Sequence, residues 1–102
     1  MVQVNWTRDA INDLKDIVDY ISRDSQRYAE ITAQRIVFKA DLLVTFPRSG
    51  RKVPEMSRDD IREMIEGRYR IIYRVVSDNR VDILTVHHSS RLLENNPILK
   101  KL

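Results

Sequence analysis

The sequence predicts one α+β domain over residues 1–102, with a helical hairpin packed on one face of a small, mainly antiparallel sheet. The chain length fits a single domain, and only two glycines and three prolines are present, which leaves little room for a flexible linker. Helix-period patterns in the first half give way to strand patterns in the second half. The element order is therefore β-α-α-β-β-β, and helices grouped before strands are typical of an α+β fold.

The N-terminal half begins with a short strand and a helix. Residues 2–6 alternate apolar and polar side chains, as a short strand does. Thr7 is a favourable N-cap for a helix that we place over residues 8–22. Its apolar side chains recur at three- and four-residue spacing and form one stripe: Ala10, Ile11, Leu14, Ile17, Val18 and Ile21.

A second helix follows after a polar break. Asp24 or Ser25 can cap it, and its helical period continues to residue 46. Pro47 ends it, because proline donates no hydrogen bond and restricts the preceding residue. The short connection makes the two helices antiparallel neighbours.

The C-terminal half is predicted to form a loop and three strands. Residues 47–60 contain two prolines, a glycine and several charges, which indicates a loop. The strands follow as Ile61–Glu66, Tyr69–Val76 and Arg80–His88, separated by turns at Gly67-Arg68 and Ser77–Asn79. Near the end, Asn96-Pro97 resembles a helix start.

The two faces of the central strand differ. Tyr69, Ile71, Tyr73 and Val75 share one face, which we expect to meet the hairpin. Arg70 and Arg74 lie on the other, which we expect to be open and to carry the site. We expect these residues to be mostly buried: Leu14, Ile17, Ile36, Leu43, Ile71, Tyr73 and Ile83.

The composition excludes several classes of protein. Without cysteine the chain has no disulfide scaffold, thiolate zinc site or cysteine nucleophile. No apolar run is long enough to span a bilayer and no signal peptide is visible, so we expect a cytoplasmic protein without a membrane partner. We expect no cofactor, and no metal either, because adjacent strand residues such as His87 and His88 point to opposite faces.

The net charge of +3 is concentrated in the middle of the chain. Residues 48–74 hold eight basic and five acidic side chains, and thirteen of the eighteen basic residues are arginine. Arginine suits bidentate contact with phosphates or carboxylates. The charge pattern alone fits a solvated surface with ion pairs better than a nucleic-acid site.

Three segments resemble the RelE/ParE superfamily, the toxins of type II toxin–antitoxin pairs. WTRDAINDLKDIVDYISRDS is similar to the start of the ParE-type hairpin, and IREMIEGRYRIIYRV to the family's strand–turn–strand core. VDILTVHHSSR is similar to its last strand, which often ends in V-x-H followed by arginine. RelE-like members cleave mRNA on the ribosome, whereas ParE-like members bind DNA gyrase and have no known catalytic set.

The resemblance implies candidate site residues for each branch. Arg70 matches the arginine that faces the scissile phosphate in RNase members, but a structural ion pair is an equal alternative. Glu55 matches a general base of one RNase branch, although a simple loop acid is the commoner role. One of His87 and His88 would serve as acid or base, unless both are structural. The candidate partner-binding residues are Arg62, Arg70, Arg74 and Arg91.

Two departures favour the ParE-like branch. No aromatic residue follows Tyr73, whereas RNase members typically carry a tyrosine or a further basic residue beyond the position of Arg91. The hairpin is also long for a RelE-like chain. We therefore interpret the protein as a ParE-like, plasmid- or genome-stabilising toxin that binds gyrase. Whether it is an enzyme stays open: the ParE-like branch favours binding without catalysis, and the alternative activity is that of an mRNA endoribonuclease.

The resemblance also implies partners and leaves alternatives open. A small antitoxin is expected to wrap the toxin with a segment that folds on binding, and to carry most of the contact with operator DNA. Its expected docking areas are the groove between hairpin and sheet and the basic strand face. The first alternative is a ribosome-dependent mRNA endonuclease; the second is a non-toxic RNA-binding or adaptor protein on the same scaffold.

Overall fold

A computed structural model describes residues 1–102 as a five-stranded sheet with two helices on one face. The main elements in chain order are β1 (Gln3–Trp6), α1 (Arg8–Ser22), α2 (Gln26–Asp41), β2 (Arg51–Lys52), β3 (Ile61–Glu66), β4 (Tyr69–Ser77) and β5 (Arg80–His88). The strand order is β1-β5-β4-β3-β2; β1 is parallel to β5 and all other pairs are antiparallel. The predicted α+β class and element order are confirmed, with the two-residue β2 as an addition.

The helical hairpin begins as its capping residues predict. The Thr7 hydroxyl accepts a hydrogen bond from the amide of Ala10, and the Ser25 hydroxyl accepts one from Tyr28. The second helix is shorter than predicted, because the α-helix ends at Asp41 and continues as a 3₁₀ turn over Leu42–Val44. Neither helix is long and apolar enough to cross a membrane.

The core between hairpin and sheet contains most of the predicted residues. Ile36, Leu43, Ile71, Tyr73 and Ile83 are fully buried there. Leu14 and Ile17 are partly buried, because α1 packs on both α2 and β5 and their side chains lie at the margin of this core. The prediction of mostly buried side chains therefore holds for these two residues, although neither is fully buried.

The opposite face of the sheet is covered around Arg70, contrary to the prediction, whereas Arg74 on the same face stays exposed. A second apolar cluster covers it, formed by Val53, Ile61, Ile72, Leu93 and Leu99. The loop before β3 supplies one of these side chains, and 3₁₀ turns at Leu93–Asn95 and Leu99–Lys101 supply two others. The physical reason is that this face carries apolar side chains beside its arginines. The C-terminal segment folds back over these apolar side chains and removes them from water.

Candidate functional site

Arg70 lies on the covered sheet face, at the centre of a chain of ion pairs. Its Nε donates to Glu63 Oε1 at 2.6 Å, and its two terminal nitrogens donate to the carboxylate oxygens of Glu55, each at 2.8 Å. Arg51 donates to the other oxygen of Glu63 at 2.6 Å. The result is an alternating row, Arg51–Glu63–Arg70–Glu55, in which every charged group has an opposite neighbour. We call these four residues the carboxylate–arginine row.

The row is anchored in the interior by Glu63. The Glu63 side chain on β3 has no exposed surface, whereas Arg70 on β4 keeps 10% of its side chain exposed. An unpaired carboxylate at that depth would be very unfavourable, so Glu63 requires its arginines. Arg70 thus compensates a buried charge.

The pairing with Arg70 also determines the acidity of Glu55. Hydrogen bonds from the Arg70 guanidinium lower the pKa of Glu55 to about 2, against an ordinary value of 4.5. The same bonds raise the pKa of Arg70 above its already high normal value. A carboxylate with so low a pKa is a weak proton acceptor near neutral pH, because an efficient general base has a pKa near the operating pH.

His87 lies next to Arg70 across the strand pair, and both of its ring nitrogens are engaged. The side chain is buried, Nε2 lies 3.0 Å from the Arg91 carbonyl oxygen, and Nδ1 lies 3.0 Å from the Asn96 amide nitrogen. Because a carbonyl only accepts, Nε2 carries the proton and Nδ1 accepts from Asn96. The ring therefore holds the C-terminal segment against the sheet.

His88 lies on the other side of the sheet, as strand alternation requires. It pairs across the strands with Tyr69, and the two rings meet edge-on with centroids 5.3 Å apart. Its Nδ1 accepts a hydrogen bond from the amide of Ser90 at 3.1 Å. Only His87 therefore shares a face with Arg70, and the two histidines are not brought together.

The remaining predicted arginines have different surroundings. Arg62 is paired with Asp59 and also donates to the Gly50 carbonyl, while Arg74 is paired with Asp60. Arg91 is exposed and has no ion pair. The structure thus groups Arg70, Glu55 and His87 on one face, and Arg91 contributes its backbone carbonyl to His87 while its side chain has no ion pair.

Three structural residues near this site were missed by the sequence reasoning. Glu63 completes the carboxylate–arginine row, and Asn96 links Thr85 to His87. On the far side of Thr85, Asp13 accepts from the threonine hydroxyl and from the amide of Val86, and burial raises the pKa of this aspartate. The spacing in β3 offered a signal, because Glu63 lies two residues from both Ile61 and Ile65 and therefore shares their strand face. Ile65 pairs with Arg70 across the strands, so Glu63 and Arg70 lie on the same face of the sheet.

A shallow groove of about 270 Å³ borders the carboxylate–arginine row. Its apolar lining comes from Met56, Leu92, Leu93 and Leu99, and its charged lining from Glu55, Glu94 and Lys100. No group of three or more His, Cys, Asp or Glu side chains is placed to hold a metal ion.

Three comparisons relate the chain to known proteins. Residues 4–93 match the family model described as ParE toxin of type II toxin-antitoxin system, parDE. The chain is 35% identical over 92 residues to Toxin RelE2 of Caulobacter vibrioides, covering 90% of this chain and 100% of the relative. A solved structure described as the chromosomal ParDE TA system from P. aeruginosa has a TM-score of 0.71 and 25% identity, covering 86% of this chain and 96% of that chain.

Proposed function

Because the chain belongs to the ParE toxin family of type II toxin–antitoxin systems, we propose that it stops growth by binding DNA gyrase without cutting RNA. In this proposal a cognate antitoxin neutralises it, and the toxin acts in the cytoplasm, where gyrase works. The solved relative from a ParDE system, which aligns over most of this chain, supports the ParE-like branch.

The observation that carries the proposal is that the residues RNA cleavage would use already have their hydrogen-bond and ion-pair partners within the protein. Attack by a ribose 2′-hydroxyl needs a base to take its proton and cations free to contact the phosphate as charge develops. Here the candidate cation Arg70 is engaged by two carboxylates, Glu55 is strongly acidic, and both nitrogens of His87 are hydrogen bonded.

Releasing Arg70 for a phosphate would also carry a structural penalty. Glu63 has no exposed surface, so moving Arg70 away would leave this buried carboxylate with Arg51 as its one ion-pair partner. Arg70, Glu55 and His87 are therefore better suited to fixing the loop before β3 and the C-terminal segment than to catalysis.

The proposal predicts direct inhibition of gyrase by the purified chain. Titrating the toxin into gyrase, relaxed plasmid and ATP should progressively reduce supercoiling, because the bound toxin prevents turnover of the enzyme. Agarose-gel separation of topoisomers measures the effect. Inside cells, expression of the toxin should produce linear DNA and induce the DNA-damage response.

Two controls make this experiment specific. Relaxation by an unrelated topoisomerase should be unchanged at the same toxin concentration, and toxin premixed with equimolar antitoxin should leave supercoiling intact. Complete supercoiling at an excess of a toxin preparation that arrests growth when expressed would refute gyrase as the target.

A further inference from the structure

The solvent-facing side of α2 combines apolar and basic side chains. Phe38 is 72% exposed and Tyr28 is 56% exposed, although helices normally turn such residues towards the core. We call this surface the α2 outer face; it consists of Arg27, Tyr28, Arg35, Phe38, Lys39 and Leu42. Phe46, 60% exposed, extends the apolar part beyond the helix at the spacing Phe38–Leu42–Phe46.

The cations of the α2 outer face are free. None of Arg27, Arg35 and Lys39 takes part in the salt bridges of the fold, whereas Arg62, Arg70 and Arg74 are all paired with carboxylates. At 3.6 residues per turn, the acids Glu30 and Asp41 lie along one edge of this face, three residues from Arg27 and Phe38 respectively. The members of the face thus include three cations and no acid, and an incoming acidic group displaces no salt-bridge partner.

We propose that the α2 outer face is the docking surface for an acidic, amphipathic segment of the cognate antitoxin. The inference rests on the antitoxin part of the proposed function and is independent of gyrase as the target. The segment's apolar side chains would cover Phe38, Leu42 and Phe46, and its carboxylates would meet Arg35 and Lys39. Aromatic residues and arginine are the types that dominate binding energy at protein interfaces.

The composition of the face favours a protein partner over a nucleic acid. A phosphate backbone is bound through its charge, and each contact uses a cation. Three cations beside a stripe of three exposed apolar side chains instead match a helix that has one apolar side and one acidic side. The paired arginines of the sheet suit such a segment less, since it would have to displace Asp59, Asp60 or the buried Glu63.

The test measures the affinity of purified toxin variants for the purified antitoxin by isothermal titration calorimetry. Phe38→Ala should weaken binding about tenfold to thirtyfold, as loss of a central aromatic contact does. The double variant Arg35→Glu/Lys39→Glu should weaken it at least as much, and wild-type affinity should fall as salt is raised. The matched control Lys15→Glu/Arg23→Glu makes the same charge change on exposed residues of the hairpin that have no salt bridge, and it should keep wild-type affinity.

Circular dichroism melting verifies that each variant is folded, which is expected because Lys39 is partly exposed and the other substituted residues are exposed. Wild-type affinity in both α2 variants would overturn the inference, as would an equal loss in the control variant. Binding of short RNA or DNA that depends on the α2 outer face, with antitoxin binding unaffected, would also overturn it. A toxin that does not inhibit gyrase but loses antitoxin affinity in the α2 variants would refute only the gyrase proposal.

Discussion

Replacing Arg70 by alanine is expected to lower the free energy of unfolding by about 3–5 kcal/mol, the usual effect of removing one partner from a buried ion pair. The reason is Glu63, whose carboxylate has no exposed surface and would keep Arg51 as its one salt-bridge partner. This loss is a large share of the total stability of an ordinary domain, which is about 5–15 kcal/mol. Urea unfolding followed by circular dichroism measures it.

Arg74 provides a matched control on the same strand and the same face. It pairs with Asp60, but both side chains are substantially exposed, so Arg74→Ala should change stability by about 1 kcal/mol or less. Arg70→Lys should fall between the two, because one ammonium group cannot reproduce the guanidinium fork that contacts both Glu55 and Glu63. Equal small losses for Arg70→Ala and Arg74→Ala would contradict a structural role for the carboxylate–arginine row.

Ile71→Ala is expected to destabilise the fold by about 2–5 kcal/mol, because it removes a fully buried side chain from the centre of the core between β4 and the hairpin. Leu14→Ala should cost less, since the leucine side chain is only partly buried and leaves less apolar surface to transfer. The midpoint of denaturant unfolding measures both changes.

An exposed apolar residue on the same strand provides the control, because it distinguishes the loss of core packing from the mere loss of aliphatic carbon. Val76→Ala removes aliphatic carbon from a side chain that is 41% exposed and should have the smallest effect of the three. A loss below about 1 kcal/mol for Ile71→Ala would show that the assignment of this strand face to the core is wrong.

The parts of the fold that depend on neighbouring residues could be predicted from the sequence. The periods of the helices and strands, the caps at Thr7 and Ser25 and the turn at Gly67 all arise from short-range geometry. The core between the hairpin and the sheet could be predicted because successive side chains of β4 point to opposite faces of the sheet. The exact burial of Leu14 did not, since it depends on where α1 crosses the sheet.

The covered face could not be predicted in the same way, because its contacts join distant parts of the chain. Glu55 reaches Arg70 from the loop before β3, and Asn96 reaches His87 from beyond β5. Strand alternation alone does not reveal that a C-terminal segment closes over Ile72. The arginine-rich pattern was visible, but which arginines are neutralised internally and which remain free on α2 depends on the tertiary structure.

The most direct test of the central claim is the integrity of an mRNA on translating ribosomes after addition of the purified, folded toxin. Primer extension along the reading frame detects each cut. Because Arg70, Glu55 and His87 are engaged with one another or with neighbouring groups, we predict an extension pattern identical to that without toxin, at concentrations that inhibit gyrase. Position-specific cuts within the translated frame that disappear with Glu55→Gln, in a variant that remains folded, would contradict this account.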